Sequence, residues 1–443
     1  MIRVFEDQGK LLAGVLILAA AGYLAWKVSQ SSDQALQFAF NGLSVGAIYA
    51  LLAVGFTLVY STVWFFDLYY GAAAAMGAYG VFYLRSQQSS SLYQTNNLYL
   101  NIVFALVVAG LVAWVFRSTV HGRLRGRIGD NALLAIEGVV AAGVGMYTWT
   151  LLAYPEDLYR LLSPAVGLLT AGAAYWIVLR AWPIRSPLAI VVVAVPAGVL
   201  GAFCGYLVYG TPGSSLYLSW GVSCLLAGAV GLALYRGLYV YMRERSRSPL
   251  TMLVGSLGIL LAITAFITIV FQSAPRPLPE AFGSNLWSLG GANIKAFNVF
   301  TIGIALAGFV GLLLLLQKTS FGKAVRAIGD DEDVAKVVGI NTRVVIAAVF
   351  FIGAVFAALA GILNGHDTNI QPKMALLLLL KGWIASVIGG MGNLYGAIVG
   401  GFTLGIVEQF GIWDLAGGWK DAISFVLLIL FLAFWPRGIL PRR

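Results

Sequence analysis

Long apolar stretches alternate with short polar segments along almost the whole chain. Each stretch is close to the length of about 20 residues that a helix needs to cross a bilayer. The stretches fall at 11–28, 38–61, 65–84, 98–116, 131–152, 161–179, 187–209, 217–242, 250–272, 298–317, 343–363, 375–391, 394–412 and 420–435. Because 375–391 and 394–412 are almost contiguous and could form a re-entrant pair, the pattern predicts twelve to fourteen spans. The predicted fold class is an all-α, polytopic transmembrane helical bundle.

The composition and the distribution of charge agree with a membrane protein. Of 443 residues, 60% are apolar and 10% are charged, whereas soluble domains carry about 25% charged residues, which excludes a soluble globular protein. The net charge of +10 does not indicate nucleic-acid binding, because the basic residues lie mostly in short loops between apolar stretches. When the stretches are threaded alternately, 19 of the 28 Lys and Arg residues fall on one side and seven on the other. The positive-inside rule then predicts that both termini are cytoplasmic.

No residue pattern in the chain indicates a metal, a cofactor or a nucleotide site. Cys204 and Cys224 lie inside apolar stretches, and the two histidines are far apart, so no zinc-type spacing exists. The nearest approach to a phosphate-binding loop is Gly322-Lys323-Ala324, which lacks the hydroxyl residue after the lysine. We therefore expect no enzymatic activity and no bound cofactor. If ATP drives this protein, another chain must hydrolyse it.

Residues 319–341, which we call the charged segment, form the only sizeable charged stretch of the sequence. Its pattern predicts one or two short amphipathic helices, with Asp330 and Asp331 suited to an N-cap and Gly339 to the C-terminal exit. Val334, Val337 and Val338 then share one helix face, which needs a cover. Packing on the chain's own membrane domain and docking of a cytoplasmic partner both remain open.

Three blocks of the sequence resemble the permease subunit of branched-chain amino acid ABC importers, a family that also includes permeases for urea and short amides. Asp333, Val334, Ala335 and Gly339 match the register of that family's Glu-Ala-Ala-x-x-x-Gly coupling helix, with Asp for Glu and Val for the first Ala. The segment 41–60 is similar to the family's opening span, and 380–401 is similar to its late glycine-rich block. The three blocks occur in the family's order.

The resemblance implies a division of the chain into a permease core and additional parts. The N-terminal stretch looks like a signal peptide at its start, but it extends to Val28 without a clean cleavage site, which favours a retained span. We interpret the additional membrane segment as a scaffold or as a docking site for another subunit. The predicted parts are an extra N-terminal span at 1–33, a core at 34–84 and 226–437 that contains the coupling helix 319–341, an inserted transmembrane segment at 85–225, and a cytoplasmic tail at 438–443.

The resemblance also implies a function and a set of partners. A family member would form a translocation path for branched-chain or related amino acids in the bacterial inner membrane. Its partners would be a second related permease, cytoplasmic ATPase subunits and a periplasmic solute-binding protein. Where the family has Asn-Phe-Ala-His-Gly, this chain has Asp67-Leu68-Tyr69-Tyr70-Gly71 and keeps only the glycine, so a urea or short-amide permease stays an alternative. An ion-coupled secondary transporter is the alternative from another class.

Polar residues inside the apolar stretches are the candidates for the translocation path, because ionisable groups in a bilayer are costly. Asp67 could line the path or cap the following helix. Lys381 could pair with a carboxylate from another helix or with carbonyls at a helix break, and Glu408, near the outer end of its span, is expected to snorkel or pair. The other path candidates lie in the opening span and are Asn41, Ser44, Tyr49 and Thr57. Gly392, Gly396 and Gly400 recur at every fourth position, which favours close helix packing. The basic segment 117–127 is expected to face anionic membrane lipid.

Overall fold

The computed structural model describes most of the chain, and the statements below concern the described residues. These are residues 22–23, 25–85, 98–117, 129–154, 158–181, 187–210, 215–245, 249–279, 281, 286–289 and 292–440. Most of the N-terminal stretch, the polar segment 86–97, all but the first residue of the basic segment 117–127 and the last three residues lie outside this range. The expectations for the N-terminal span and for lipid contact by the basic segment therefore fall outside the described residues.

The described chain is almost entirely helical, because a helix satisfies all backbone hydrogen bonds within one segment and needs no water. The helices of the first half are α1 (Ser32–Val63), α2 (Tyr69–Arg85), α3 (Leu98–Phe116), α4 (Asp130–Ala153), α5 (Leu158–Ala181), α6 (Pro187–Tyr209), α7 (Ser215–Leu234), α8 (Val240–Arg245) and α9 (Pro249–Phe271). Those of the second half are α10 (Ala296–Lys318), α11 (Ser320–Asp330), α12 (Glu332–Val337), α13 (Thr342–Asp367), α14 (Met374–Gly389), α15 (Leu394–Gly411) and α16 (Lys420–Phe434). A five-residue π-helix, Tyr235–Tyr239, joins α7 to α8 without a break in the helical backbone.

Seven helices of the described part are long and apolar enough to cross a bilayer. The number is eight if α14 and α15, which are bent by 116° relative to each other, count as one broken span. This bend lies between the apolar stretches 375–391 and 394–412, which are almost contiguous in the sequence. The prediction of an all-α, multi-pass helical fold is thus confirmed.

The described residues form two compact units. The first unit contains the residues up to Tyr79 and those from Ser223 onward, and α1 lies at its centre, packed against α10, α13, α14 and α15. The residues of α1 between Ala47 and Val59 are buried, which is unusual for a membrane helix and makes it the core of this unit. The second unit, Gly80–Val222, consists of helix pairs in which α3 packs on α4 and α5 on α6.

Close helix packing in the first unit depends on glycine. A Cβ at Gly401 or Gly405 would overlap the backbone of α1, and a Cβ at Gly396 or Gly400 would overlap the backbone of α14. α15 therefore approaches two helices through small residues on two sides. Gly392 differs from its prediction: it lies in the turn before α15, with φ of 86°, because the Asn393 side chain accepts a hydrogen bond from the Tyr395 amide and begins the helix there.

The only β-strands in the described residues form a two-stranded antiparallel pair, β1 (Leu286–Leu289) and β2 (Ala292–Lys295). It lies in segment 273–297, which begins with three prolines at positions 275, 277 and 279. The Asn293 amide donates to Gln37 Oε1 of α1 at 2.9 Å, which fixes the pair to the first unit. A backbone bridge between Arg276 and Ile370 holds the preceding extended residues.

Candidate functional site

The charged segment folds into the two short helices α11 and α12, each begun by a side-chain cap. Thr319 Oγ1 accepts a hydrogen bond from the Gly322 amide at 3.3 Å at the start of α11. Asp331 Oδ1 accepts from the amides of Asp333 at 2.8 Å and Val334 at 3.0 Å, so it caps α12 as its residue type predicts. α12 ends at Val337, and the chain leaves it through Gly339, whose φ of 90° is in the left-handed region that residues with a Cβ rarely adopt.

The exposed face of the charged segment is apolar. Val334, Val337 and Val338 are exposed to 58%, 87% and 76%, whereas Ala335 is buried against the rest of the first unit. A surface of three neighbouring valines favours contact with another protein over contact with water. Lys336 flanks it and binds Glu332 and Asp333 at 3.1 Å each. The hydrogen bonds to these two carboxylates raise the pKa of Lys336, which therefore stays charged.

One contact attaches the charged segment to residues 64–68, the five non-helical residues between α1 and α2, which we call the connecting segment, and a second contact attaches it to α8. The indole Nε1 of Trp64 donates to the Gly329 carbonyl of α11 at 2.9 Å. Trp64 itself has φ of 57°, a left-handed conformation that is rare for an aromatic residue. Arg243, at the end of α8, forms an ion pair with Glu332, the first residue of α12.

Asp67 is buried in the connecting segment and is held by two donors. The amide of Tyr69 donates to Asp67 Oδ1 at 3.1 Å, so the carboxylate also satisfies the first turn of α2. The hydroxyl of Tyr239, in the π-helix, donates to the same oxygen at 2.6 Å. Of the two roles open to Asp67 in the sequence, the capping contact is present in the structure, and a role in the path stays a prediction.

Lys381 lies in a buried polar cluster formed by α14, α15 and α16. Its ammonium group forms an ion pair with Glu408, donates to Ser424 Oγ at 2.8 Å and lies 3.0 Å from Asp421 Oδ1. Ser424 Oγ also donates to Glu408 Oε1 at 3.0 Å. The ring of Tyr49 in α1 lies 5.6 Å from the same ammonium, within the range of a cation–π contact. The cluster thus connects four helices of the first unit.

The remaining path candidates lie apart from one another along α1. Asn41 Oδ1 accepts from Gln37 at 3.3 Å and from Asn298 at 3.4 Å. Thr57 Oγ1 and Ser386 Oγ are 2.7 Å apart and join α1 to α14. Ser44 is buried, and its hydroxyl makes no hydrogen bond to any described residue. The structure therefore brings together Tyr49 and Lys381 only.

A cavity of about 720 Å³ opens beside α11. Its wall is mostly apolar and includes one cation, Arg326, and a hydrogen-bonded pair in which Gln317 Nε2 donates to the Tyr395 hydroxyl at 2.6 Å. The wall residues are Leu58, Ser61, Leu313, Leu316, Gln317, Val325, Arg326, Gly329, Gly392, Asn393, Leu394, Tyr395 and Leu440. Its volume is within the range of about 300–1,000 Å³ that is usual for small-molecule sites.

The sequence reasoning missed the residues that connect these parts. Trp64, Tyr239 and Arg243 carry no motif, and each looks like an ordinary residue of a span or its end. One signal was present: Trp64-Phe65-Phe66-Asp67 interrupts two apolar stretches with bulky residues that are poor helix formers. The π-helix cannot be recognised from the spacing of apolar residues in the sequence.

Comparison with known proteins identifies the family. The profile of the family described as branched-chain amino acid transport system, permease component, matches residues 197–432, more than half of the chain. This range contains the charged segment and the glycine-rich block, while the opening span at 41–60 lies outside it. No solved structure matches the chain.

Named relatives agree with the family profile. The high-affinity branched-chain amino acid transport system permease protein LivH of Escherichia coli is 33% identical over 224 residues, 49% of this chain and 72% of LivH. The corresponding protein BraD of Pseudomonas aeruginosa is 31% identical over 229 residues, 51% of this chain and 74% of BraD. A probable LivH of Methanocaldococcus jannaschii is 27% identical over 256 residues, 54% and 79% of the two chains.

These matches confirm the resemblance, the multi-pass location in the inner membrane and the role of a permease subunit. The relatives are named as transport permeases, which agrees with the expectation of a protein that is not an enzyme. Permease components of ABC systems work with ATPase and binding-protein subunits in general. This chain therefore belongs to the branched-chain amino acid transport system permease family and is a permease subunit of an ABC importer.

Proposed function

We propose that this chain, with a second related permease, forms the translocation path for branched-chain or related aliphatic amino acids. In this proposal a periplasmic binding protein delivers the solute, and ATP hydrolysis on two cytoplasmic ATPase subunits drives import by alternating access. The charged segment and both termini face the cytoplasm. Residues 34–84 and 226–437 form the permease core, and 85–225 is an inserted transmembrane segment.

The exposed valine face of α12 is the observation that carries the proposal. Its helix is begun by Asp331 and ended by Gly339, and its apolar face is not covered by any described residue. In the register of the family's coupling helix, Asp333, Val334, Ala335 and Gly339 fall on this helix and its exit. An ATPase subunit that accepts the three valines would bury apolar surface and leave the flanking Lys336 in water.

The solute class is supported by the family and by the mixed character of the cavity beside α11. An aliphatic amino acid carries an apolar side chain and two charged groups, and the cavity offers leucine and valine surface together with Arg326 and several hydrogen-bonding side chains. The relatives are named for branched-chain amino acid transport. The residues at which the chain differs from the family's Asn-Phe-Ala-His-Gly, Asp67–Gly71, lie at and just before the start of α2. None of them is part of the cavity wall.

Uptake by purified protein in proteoliposomes tests the proposal. The complete transporter, with its ATPase subunits and binding protein, is expected to accumulate leucine, isoleucine or valine only when ATP is present. Urea and acetamide serve as competing solutes, and uptake of either in place of the amino acids would contradict the solute assignment. The chain alone, with an imposed ion or proton gradient, is the matched control. Accumulation by the chain alone would overturn the proposal in favour of a secondary transporter.

A further inference from the structure

The connecting segment is held at both of its ends by the charged segment. At the first end, Trp64 contacts α11 directly through the hydrogen bond to the Gly329 carbonyl. At the other end, Asp67 accepts a hydrogen bond from Tyr239, and Arg243 on the same continuous helix pairs with Glu332 of α12. The first contact is direct and the second runs through one intermediate helix.

The intermediate helix is suited to transmit a displacement over this short distance. Tyr239 and Arg243 are four residues apart, which is about 6 Å along a helix axis. Tyr239 is fully buried, and its ring packs against Phe350 at 5.4 Å and Phe65 at 5.5 Å, so it has little room to move alone. A shift of Glu332 therefore moves Arg243, Tyr239 and Asp67 together.

The backbone on this route departs from regular geometry at two places. Tyr239 ends the π-helix Tyr235–Tyr239, a form that is rare and found mostly as single turns at functional positions. Trp64 holds a left-handed conformation at the start of the connecting segment. Such departures persist only where surrounding contacts fix them, and here those contacts include the two that reach the charged segment.

We propose that Tyr239 and Arg243 are positioning residues that transmit movement of the charged segment to the connecting segment, which acts as the hinge between α1 and α2. This inference rests on the proposed function, because it assumes that ATPase subunits move the charged segment. α1 and α2 both pack closely in the first unit, and a Cβ at Gly71 would overlap α14 while one at Gly77 would overlap α13. A displacement of the connecting segment therefore acts on the junction between two packed helices. Trp64 holds the α1 side of the hinge to α11, and Tyr239 and Arg243 control the α2 side.

The first experiment compares two tyrosines of the same π-helix, Tyr239 and Tyr235, by removing the hydroxyl of each. Tyr239→Phe removes the donor to Asp67, whereas Tyr235→Phe removes a hydroxyl that makes no hydrogen bond within the described part of the chain. Both variants are measured in the complete transporter in proteoliposomes, as solute imported per ATP hydrolysed. Loss of a hydrogen bond to a buried carboxylate is expected to lower this ratio about ten-fold in Tyr239→Phe. Tyr235→Phe is expected to match the wild type.

The second arm exchanges the charges of the surface ion pair and does not depend on the core. Arg243→Glu and Glu332→Arg are each expected to lower the same ratio, with the ATPase subunits still bound at wild-type stoichiometry and with an unchanged melting temperature. The double variant Arg243→Glu with Glu332→Arg is expected to restore it in part, because the pair between positions 243 and 332 re-forms while Lys336 loses Glu332 and keeps only Asp333. A purely local structural role would lower the melting temperature and leave the ratio unaltered.

Two results would overturn the inference. One is an equal import ratio for Tyr239→Phe and Tyr235→Phe in transporters with wild-type melting temperatures. If Tyr239→Phe fails to assemble, the charge exchange decides, and a double variant no better than either single variant overturns it. These outcomes differ from failure of the proposed function, in which the wild-type transporter itself shows no ATP-dependent import.

Discussion

The molecule contains two clusters of ion pairs, one around Lys381 and one around Glu332, and the two clusters differ in how far they are exposed to solvent. Lys381 and Glu408 are buried between helices of the first unit; Ser424 hydrogen-bonds to both, and Glu408 Oε2 is buried without a hydrogen bond to any described residue. Glu332, with 16% of its side chain exposed, pairs with Arg243 and Lys336, whose side chains are 42% and 51% exposed, so water competes for the two cations. A buried ion pair is costly to break because the remaining charge has no solvent, whereas an exposed pair contributes little to stability. We therefore expect the buried cluster to determine folding and the exposed cluster to determine coupling.

Breaking the buried pair is expected to have the largest effect. Lys381→Met leaves the buried Glu408 without a cationic partner, with only the Ser424 hydroxyl as a donor, and the free energy of unfolding should fall by about 3–5 kcal/mol. Thermal unfolding of the detergent-solubilised protein measures the loss. The double variant Lys381→Met with Glu408→Gln removes both charges and is the control, since it should recover most of the stability. Equal losses in the single and the double variants would contradict this interpretation of the cluster.

The second largest effect is expected at Gly339, where the chain leaves α12. Gly339→Val forces a β-branched residue into a left-handed conformation at a cost of about 1–2 kcal/mol, while an added Cβ would meet no atom within 4 Å. We expect loss of co-purifying ATPase subunits with normal membrane insertion. Gly339→Asn is the matched control, because asparagine tolerates this region, and it should retain the ATPase. Full ATPase retention by Gly339→Val would show that the exit geometry does not matter for docking.

The cap of α12 should have a smaller effect. Asp331→Ala removes the acceptor for two amides and should weaken the helix by about 1 kcal/mol, equivalent to about a five-fold loss of ATPase affinity. Asp333→Ala removes an exposed carboxylate that accepts no helix amide and should change affinity less, unless Asp333 contacts the ATPase directly. Titration of the ATPase subunit onto the permease in nanodiscs measures both. A larger loss for Asp333→Ala would assign it a direct contact and reduce the role of the cap.

The smallest stability effect is expected at the surface pair. Arg243→Gln should change the free energy of unfolding by less than about 1 kcal/mol, and this change should shrink further at high salt. The loss in Lys381→Met should depend less on salt, because Lys381 and Glu408 are buried and only Asp421, the third member of the cluster, is half exposed. Unfolding of both variants at low and high salt is the measurement. A large, salt-independent loss in Arg243→Gln would remove the distinction between the two clusters.

The sequence contains most of the fold and the local part of the candidate site. Apolar stretches of span length predict the helices, and the exposed valines, Asp331 and Gly339 follow from helical spacing and capping rules. These features depend on residues within one turn of each other, so a local pattern is enough to find them. The two four-residue strands of the hairpin are too short for such a pattern.

The long-range contacts could not be predicted from the same sequence. Tyr239 and Asp67 are 172 positions apart and Lys381 and Glu408 are 27 positions apart, so only the packing of the helices brings them together. The π-helix lies within the apolar stretch 217–242, whose periodicity looks like that of any span. A tyrosine or a lysine in such a stretch indicates that a partner must exist, but it does not indicate which one.

α12 has only six residues, far fewer than the 12–15 or so that an isolated helix needs in water. Asp331 and Gly339 fix its two ends, and Ala335 anchors it to the first unit, so the helix is formed before any partner arrives. A partner that binds it loses little conformational entropy in ordering the backbone. The affinity of that partner then depends on the fit of three valine side chains, and exchanging one valine for a residue of another shape would change partner choice without refolding the permease.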